Sequence, residues 1–123
     1  MKWHIPIRTY SEANNRDHWI IRYKRHKQQQ KVIDEYFKDE TTTIDLPIHI
    51  KLTRYAPRSL DKWDNLPMAF KYIVDAICNN IIPGKAAGRA DDDPRISIEY
   101  DQKKAFGYQI CVEFYSPDKY YVQ

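Results

Sequence analysis

The sequence predicts an α+β fold, a mixed sheet with two helices packed on it, in the order β-α-β-α-β-β. Three observations lead there. Apolar residues alternate strictly through Ile44, Leu46, Ile48, Ile50 and Leu52, and again through Phe106, Tyr108, Ile110, Val112 and Phe114, the period of half-buried strands. Two other stretches carry apolar residues at helical spacing instead. Finally, 123 residues make one domain, residues 1–123, so helices and strands must share one core. A chain this long buries roughly two-thirds of its unfolded surface and needs no disulfide scaffold or structural metal to fold.

The elements follow in order. Trp3, Ile5 and Ile7 alternate with polar neighbours, predicting a short strand; Pro6 cannot donate a ladder hydrogen bond, which puts that strand at an edge. The stretch SEANNRDHWIIRYKRHKQQQKVIDEYF lacks Gly and Pro. Ser11, Asn14 and Asn15 offer cap oxygens, and a helix runs from about Arg16. Trp19, Tyr23, His26, Gln30, Ile33 and Phe37 form its expected buried stripe. Arg16, Lys24, Lys27 and Lys31 cluster on one flank of it, Arg22 and Arg25 on the other. The Ile44–Leu52 alternation predicts a strand reaching about Tyr55. A second helix has Pro67 near its first turn, and Leu66, Ala69, Phe70, Ile73 and Ile77 on its apolar face. On its other face Asp64, Lys71 and Asp75 point the same way, with Met68 and Cys78 beside them. Ile96, Ile98 and Tyr100 then alternate ahead of the Phe106–Phe114 series, predicting a hairpin that turns near residues 103–105.

Charge is unevenly distributed. Residues 1–31 carry eight Lys or Arg against two acids, and the remaining 92 carry twelve against fifteen, so a net charge of +3 conceals +6 in front and −3 behind. A polyanion partner beside a carboxylate-bearing site is one arrangement that uses both fields. Cys78 and Cys111 have no CxxC company, and the four histidines have no metal-ligand spacing, so buried thiols and a reducing cytosol are expected. The opening MKWHIPIRTY has no apolar core of a signal peptide, and no apolar run is long enough for a membrane span. No glycine-rich phosphate loop or dinucleotide fingerprint is present, so no organic cofactor is expected.

Three features can carry chemistry. Asp61 and Asp64 precede the second helix, and Asp91, Asp92 and Asp93 stand before a strand. Acids converging on one point imply a bound cation or a raised pKa, and hard oxygen ligands suit Mg²⁺. The plainer use of the same residues is a solvated turn and a helix cap. Lys71 can neutralise charge developing on a phosphoryl oxygen or simply pair with Asp75 one turn on. The cations of the first helix can contact a phosphate backbone or form a solvated face. Trp19, Tyr10 and Tyr23 lie near them as possible stacking partners for bases.

LDKWDNLPMAFKYIVDAI, followed by GRADDDPRISIEYDQKK, resembles the RusA family of Holliday-junction resolvases, small dimeric endonucleases, and SEANNRDHWIIRYKRHKQQQK is similar to that family's opening helix. Together these stretches cover more than half the chain. The resemblance implies hydrolysis of phosphodiesters at branched DNA by a homodimer using Mg²⁺, with Mn²⁺ as a substitute; the ion polarises the phosphate and activates water. It implies that Asp64 binds metal with Asn65 beside it on the DNA, that Asp93 is the second acidic position with Asp91 as the alternative, and that Lys71 is the helix lysine. Arg16, Arg22, Lys24, Arg25, Lys27 and Lys31 would position the DNA backbone. The chain departs from the family's Asp-x-Asp-Asn at the first aspartate, where it has Lys62. Asp61 lies one residue earlier, and a one-residue bulge before Trp63 would return it to the site.

Overall fold

The computed structural model describes residues 1–10, 18–39, 44–83 and 92–117. Asp91, Arg16 and the cap candidates Ser11, Asn14 and Asn15 lie outside the described residues. The architecture is α+β: strands β1 (Lys2–Ile5), β2 (Ile48–Ala56), β3 (Ile96–Lys104) and β4 (Gln109–Tyr115), with helices α1 (Trp19–Asp39), α2 (Asn65–Ala69) and α3 (Lys71–Ile81). The sheet order is β1-β4-β2-β3.

β2 organises the sheet. It pairs in parallel with β3, Ile48 opposite Ile96 and Leu52 opposite Tyr100, and antiparallel with β4, Ile50 opposite Phe114 and Leu52 opposite Val112. The strand begins directly after Pro47, which has no N–H to give a ladder, so it starts four residues later than the apolar alternation suggests. Ile48, Ile50 and Leu52 face the helices and form the core with Ile33, Leu66, Phe70, Ile73 and Ile77. The opposite face carries polar side chains: His49 Nδ1 lies 2.7 Å from Ser97 Oγ, and Lys51 pairs with Asp101 at 4.0 Å.

β3 and β4 are not a hairpin. β2 lies between them, and residues 105–108 cross its end, where the Ala105 N–H donates to Ala56 O at 3.0 Å. The crossing spans two strand spacings, about 9.6 Å, within reach of four extended residues at roughly 3.3 Å each. Alternation specifies which residues point inward, and both arrangements satisfy it. The segment also lacks the Asn-Gly or Asp-Gly pair that would impose a two-residue turn.

β1 lies at the sheet edge, paired only with β4, and ends before Pro6 as its missing donor requires. Trp3 anchors α1 through contacts with Phe37 at 4.9 Å and Tyr36 at 5.5 Å between ring centroids, and packs on Phe114 of β4 at 5.1 Å. The Tyr36 hydroxyl donates to His4 O. The expected buried stripe of α1 holds only toward its C-terminus. Ile33 is buried and His26 and Phe37 are half-buried, whereas residues 19–24 and Gln30 are exposed, Trp19 at 67% and Tyr23 at 57%. Among the described residues, α1 becomes half-buried from about Arg25 onward, where His26 stacks on Tyr72 of α3.

The second predicted helix is two. Phe70, with φ −96° and ψ −3°, ends α2 and begins α3. The apolar face survives intact, since Leu66, Ala69, Phe70, Ile73 and Ile77 are all buried. The polar face does not. Lys71 is exposed at the first position of α3, whereas Cys78, two turns on in the same helix, is fully buried; Met68, in α2, is exposed.

Two substitutions test this arrangement by urea unfolding. Leu52→Ala removes the centre of the core and should cost about 2–5 kcal/mol. A Cβ added at Gly107 in the crossing link meets nothing within 4 Å, and the backbone there is outside the left-handed region. Gly107→Ala should therefore raise stability by roughly 0.4–1 kcal/mol; a loss would mean the link is held in a conformation only glycine accepts.

Candidate functional site

The acidic loop leaves β2 and is fixed from the side by β3. The carboxamide of Gln102 accepts from the Leu60 N–H at 2.8 Å and donates to Leu60 O at 2.7 Å. Over the next four residues the chain folds into a turn. Asp61 Oδ2 accepts the Asp64 N–H at 2.8 Å, and Asp61 O accepts the Leu66 N–H at 2.8 Å. This is the capping pattern, a side-chain oxygen satisfying a donor three residues on. Asp61 fills that role; the Asp64 side chain makes no cap hydrogen bond. The turn sets the Asp61 carboxylate against the Asp64 backbone in spite of Lys62 between them. The Lys62 ammonium sits 5.4 Å from the centre of the Trp63 ring, which is 80% exposed.

Asp93 is differently placed. It is buried, and Arg95 holds it by a two-pronged pair, Nε to Oδ1 at 3.0 Å and Nη2 to Oδ2 at 2.9 Å, with the Arg95 N–H also donating to Oδ1 at 2.9 Å. Hydrogen bonding to Asp93, then its charge, raises the Arg95 pKa above its ordinary value. A buried carboxylate demands such a partner. Asp92 is exposed.

Lys71 opens α3 and is exposed, with no ion pair to Asp75. Asp75 faces α1 instead, lining a cleft with Tyr23, His26, Lys27 and Tyr72. Asn65, the first residue of α2, is half-buried. Among the described residues no three His, Cys, Asp or Glu side chains stand together to hold a metal ion. The Asp61–Asp64 turn offers hard oxygen atoms of the kind Mg²⁺ takes, but Asp93, engaged by Arg95, does not complete a set with them.

The cationic surface is more fully assembled. Arg22, Lys24, Lys27 and Lys31 are exposed along α1, and Arg25 is half-buried. Of the groups that continue this surface, sequence reasoning named Tyr10 and missed Arg8, Tyr108 and Arg54. Arg8 Cζ lies 4.3 Å from the Tyr108 ring centre and 4.9 Å from that of Tyr10, and Arg25 Cζ lies 4.4 Å from Tyr10. Guanidinium and aromatic groups thus alternate from the β3–β4 crossing to α1. Behind them is Arg54, 7% exposed, whose Nε donates to Thr9 Oγ1 at 2.9 Å and whose Nη1 donates to Arg58 O at 2.7 Å. Burial lowers its pKa, opposed by Tyr108 and assisted by the charge of Arg8. The alternation of Arg8 and Tyr10 was the available signal, but nothing in the sequence joins them to Arg25.

No family model, curated protein or solved structure matches the chain. No helix among the described residues is long and apolar enough to cross a membrane.

Cys78 and Cys111 are buried thiols outside any disulfide. Burial first, then the charge of Glu113, raises the Cys111 pKa above the ordinary thiol value of 9.0. Because the thiolate is the reactive form, an aromatic disulfide reagent at pH 8 should label neither cysteine quickly in the folded protein and both on unfolding. A folded pKa above the unfolded one stabilises the fold while the thiol stays protonated. That contribution is complete below pH 9.0 and is lost as pH climbs through the raised value. Cys111→Ser should flatten the alkaline decline in stability measured by urea titration.

Proposed function

We propose that the chain is a Mg²⁺-dependent endodeoxyribonuclease that resolves four-way DNA junctions in recombination and repair, acting as a homodimer with the RusA-like arrangement of elements. The observation that carries this reading is the turn at Asp61–Asp64. It supplies an acid next to Asp64 in the loop where the resembling motif requires one, although position 62 is a lysine. In this reading the metal-binding positions are Asp61, Asp64 and Asp93, with Asp91 as the alternative to Asp93, and Mn²⁺ substitutes for Mg²⁺. Lys71, exposed at the start of α3, offers its charge to a phosphoryl oxygen. Arg16, Arg22, Lys24, Arg25, Lys27 and Lys31 hold the DNA backbone, with Asn65 contacting the strand near Asp64. Phosphate contacts position DNA without reading its bases, which suits a protein that selects a branched shape. Two equivalent strands at a junction call for two equivalent sites, hence the isologous dimer.

The pairing of Asp93 with Arg95 favours a second reading, a non-catalytic junction-binding protein that has lost the first metal-binding aspartate, its position held by Lys62. An acid already neutralised by a guanidinium has no charge left to draw a cation, and the basic surface is sufficient for binding.

A labelled four-way junction separates the two. With Mg²⁺, the nuclease gives paired symmetric nicks, and Asp64→Asn binds without cutting. Binding with no cutting by the unmutated protein in Mg²⁺ and in Mn²⁺ overturns the enzyme reading and leaves the binding one. Both readings expect steep salt dependence. Each of Arg22→Ala, Lys24→Ala, Lys27→Ala and Lys31→Ala that removes a phosphate contact should lower the slope of log affinity against log salt by about 0.9, read by fluorescence anisotropy on duplex arms.

A further inference from the structure

A cleft of about 540 Å³ opens between residues 7–10 and the exposed half of α1. Three kinds of group line it. Arg8, Lys24 and Arg25 are cationic. Ile7, Ile21 and the Tyr10 ring form an apolar wall. Gln28 and Gln29 bring carboxamides. Gln29 is the telling member. It is 4% exposed, and its Nε2 has no hydrogen-bond partner among the described residues. A buried amide left unsatisfied is destabilising, and a ligand offering an acceptor would remove that cost.

The wall is also held in advance of any ligand. Thr9, between Arg8 and Tyr10, accepts from the buried Arg54, and the Tyr10 ring is flanked by the guanidinium groups of Arg8 and Arg25. Cations, a flat apolar wall and amides that both donate and accept match a phosphate, a base face and a base edge respectively.

We propose that this cleft takes one unpaired nucleotide of a DNA strand, its phosphate at Lys24 and Arg25, its base on the Tyr10 and Ile21 wall, and the base edge at Gln28 and Gln29. The inference rests on the DNA reading above and adds to it a place where base identity is felt. Backbone contacts alone would leave the protein indifferent to sequence; a nucleotide seated here makes one position of the bound strand selective.

The test is run in EDTA, so that cutting plays no part. Anisotropy compares a labelled five-nucleotide single strand with an abasic strand of equal length and charge. The base-bearing strand should bind about tenfold tighter, in keeping with base stacking. Tyr10→Leu and Gln29→Met should each abolish that preference while leaving abasic binding unchanged, and Arg25→Met should weaken both strands. Circular dichroism melting checks that each variant is folded, and Gln28→Ala, on an exposed residue, serves if Gln29→Met is not. Equal affinity of the unmutated protein for the two strands overturns the proposal, as does a preference that survives in Tyr10→Leu. A free deoxynucleoside 5′-monophosphate binding as tightly as the strand also overturns it, since the site would then serve a small molecule. Salt-dependent binding of both strands without base preference, or binding of neither, removes the cleft; the four-way-junction assay above decides the DNA reading separately.

Discussion

β2 is surrounded. Its ladder groups are taken by β3 on one edge and β4 on the other, its Ile48, Ile50 and Leu52 lie under the helices, and even His49, Thr53 and Arg54 are buried. A strand so enclosed has one workable register, because a slip of one residue would turn its aliphatic row onto the polar face. The remaining elements take their positions from that register. The chain leaves β2 into the acidic loop, β3 lies beside it and clamps that loop through Gln102, and the crossing after β3 seals the end of β2 at Ala56. Arg54, at the strand's far end, reaches Thr9 and holds the segment that carries Arg8 and Tyr10.

The two electrostatic fields of the sequence are therefore attached to one strand by different routes. The acidic loop follows directly from its C-terminal end. The cationic region reaches it through Arg54, Thr9 and the Arg8–Tyr10 stack, and extends along α1 where the helix is free of the core. The exposed cations of α1 stand beside exposed Ile20, Ile21 and Tyr23, the mixture of groups that the proposed DNA contact would use. The acids are treated unequally. Asp61 serves the turn, and Asp93 is buried with its own arginine. Asp64 keeps its side chain clear of any cap.

What the sequence made legible was the set of inward-facing residues. Alternation named Ile48, Ile50, Leu52, Ile110, Val112 and Phe114, and helical spacing named Leu66, Phe70, Ile73 and Ile77, all of them buried. It placed β1 at an edge through Pro6. Neighbour relations were not legible. A period of two is the same whether β3 folds back on β4 or crosses β2. The stripe of α1 read as continuous, yet periodicity cannot say where a helix outruns its support, so Trp19 and Tyr23 were expected inside. The break at Phe70 left no mark either, since the buried residues on both sides keep one spacing. At the candidate site the motif around Asp64 was visible, but the Asp61 cap and the Asp93–Arg95 pair depend on backbone geometry at single turns. The cleft beside Tyr10 joins residues from the start of the chain to α1, Arg54 and Tyr108, distances in sequence that no local pattern encodes.

The strand order has a consequence for the birth of the molecule. β1 and β2 are made early, yet the element that joins them, β4, spans Gln109–Tyr115. Until those residues have left the ribosome, β1 has no partner at all and one edge of β2 stands open. Contacts of such long sequence separation form slowly, and unpaired strand edges invite association with other chains. From the appearance of β1 until that of β4, a strongly cationic segment is exposed while the sheet that will anchor it is unfinished, so closure of the sheet waits on β4.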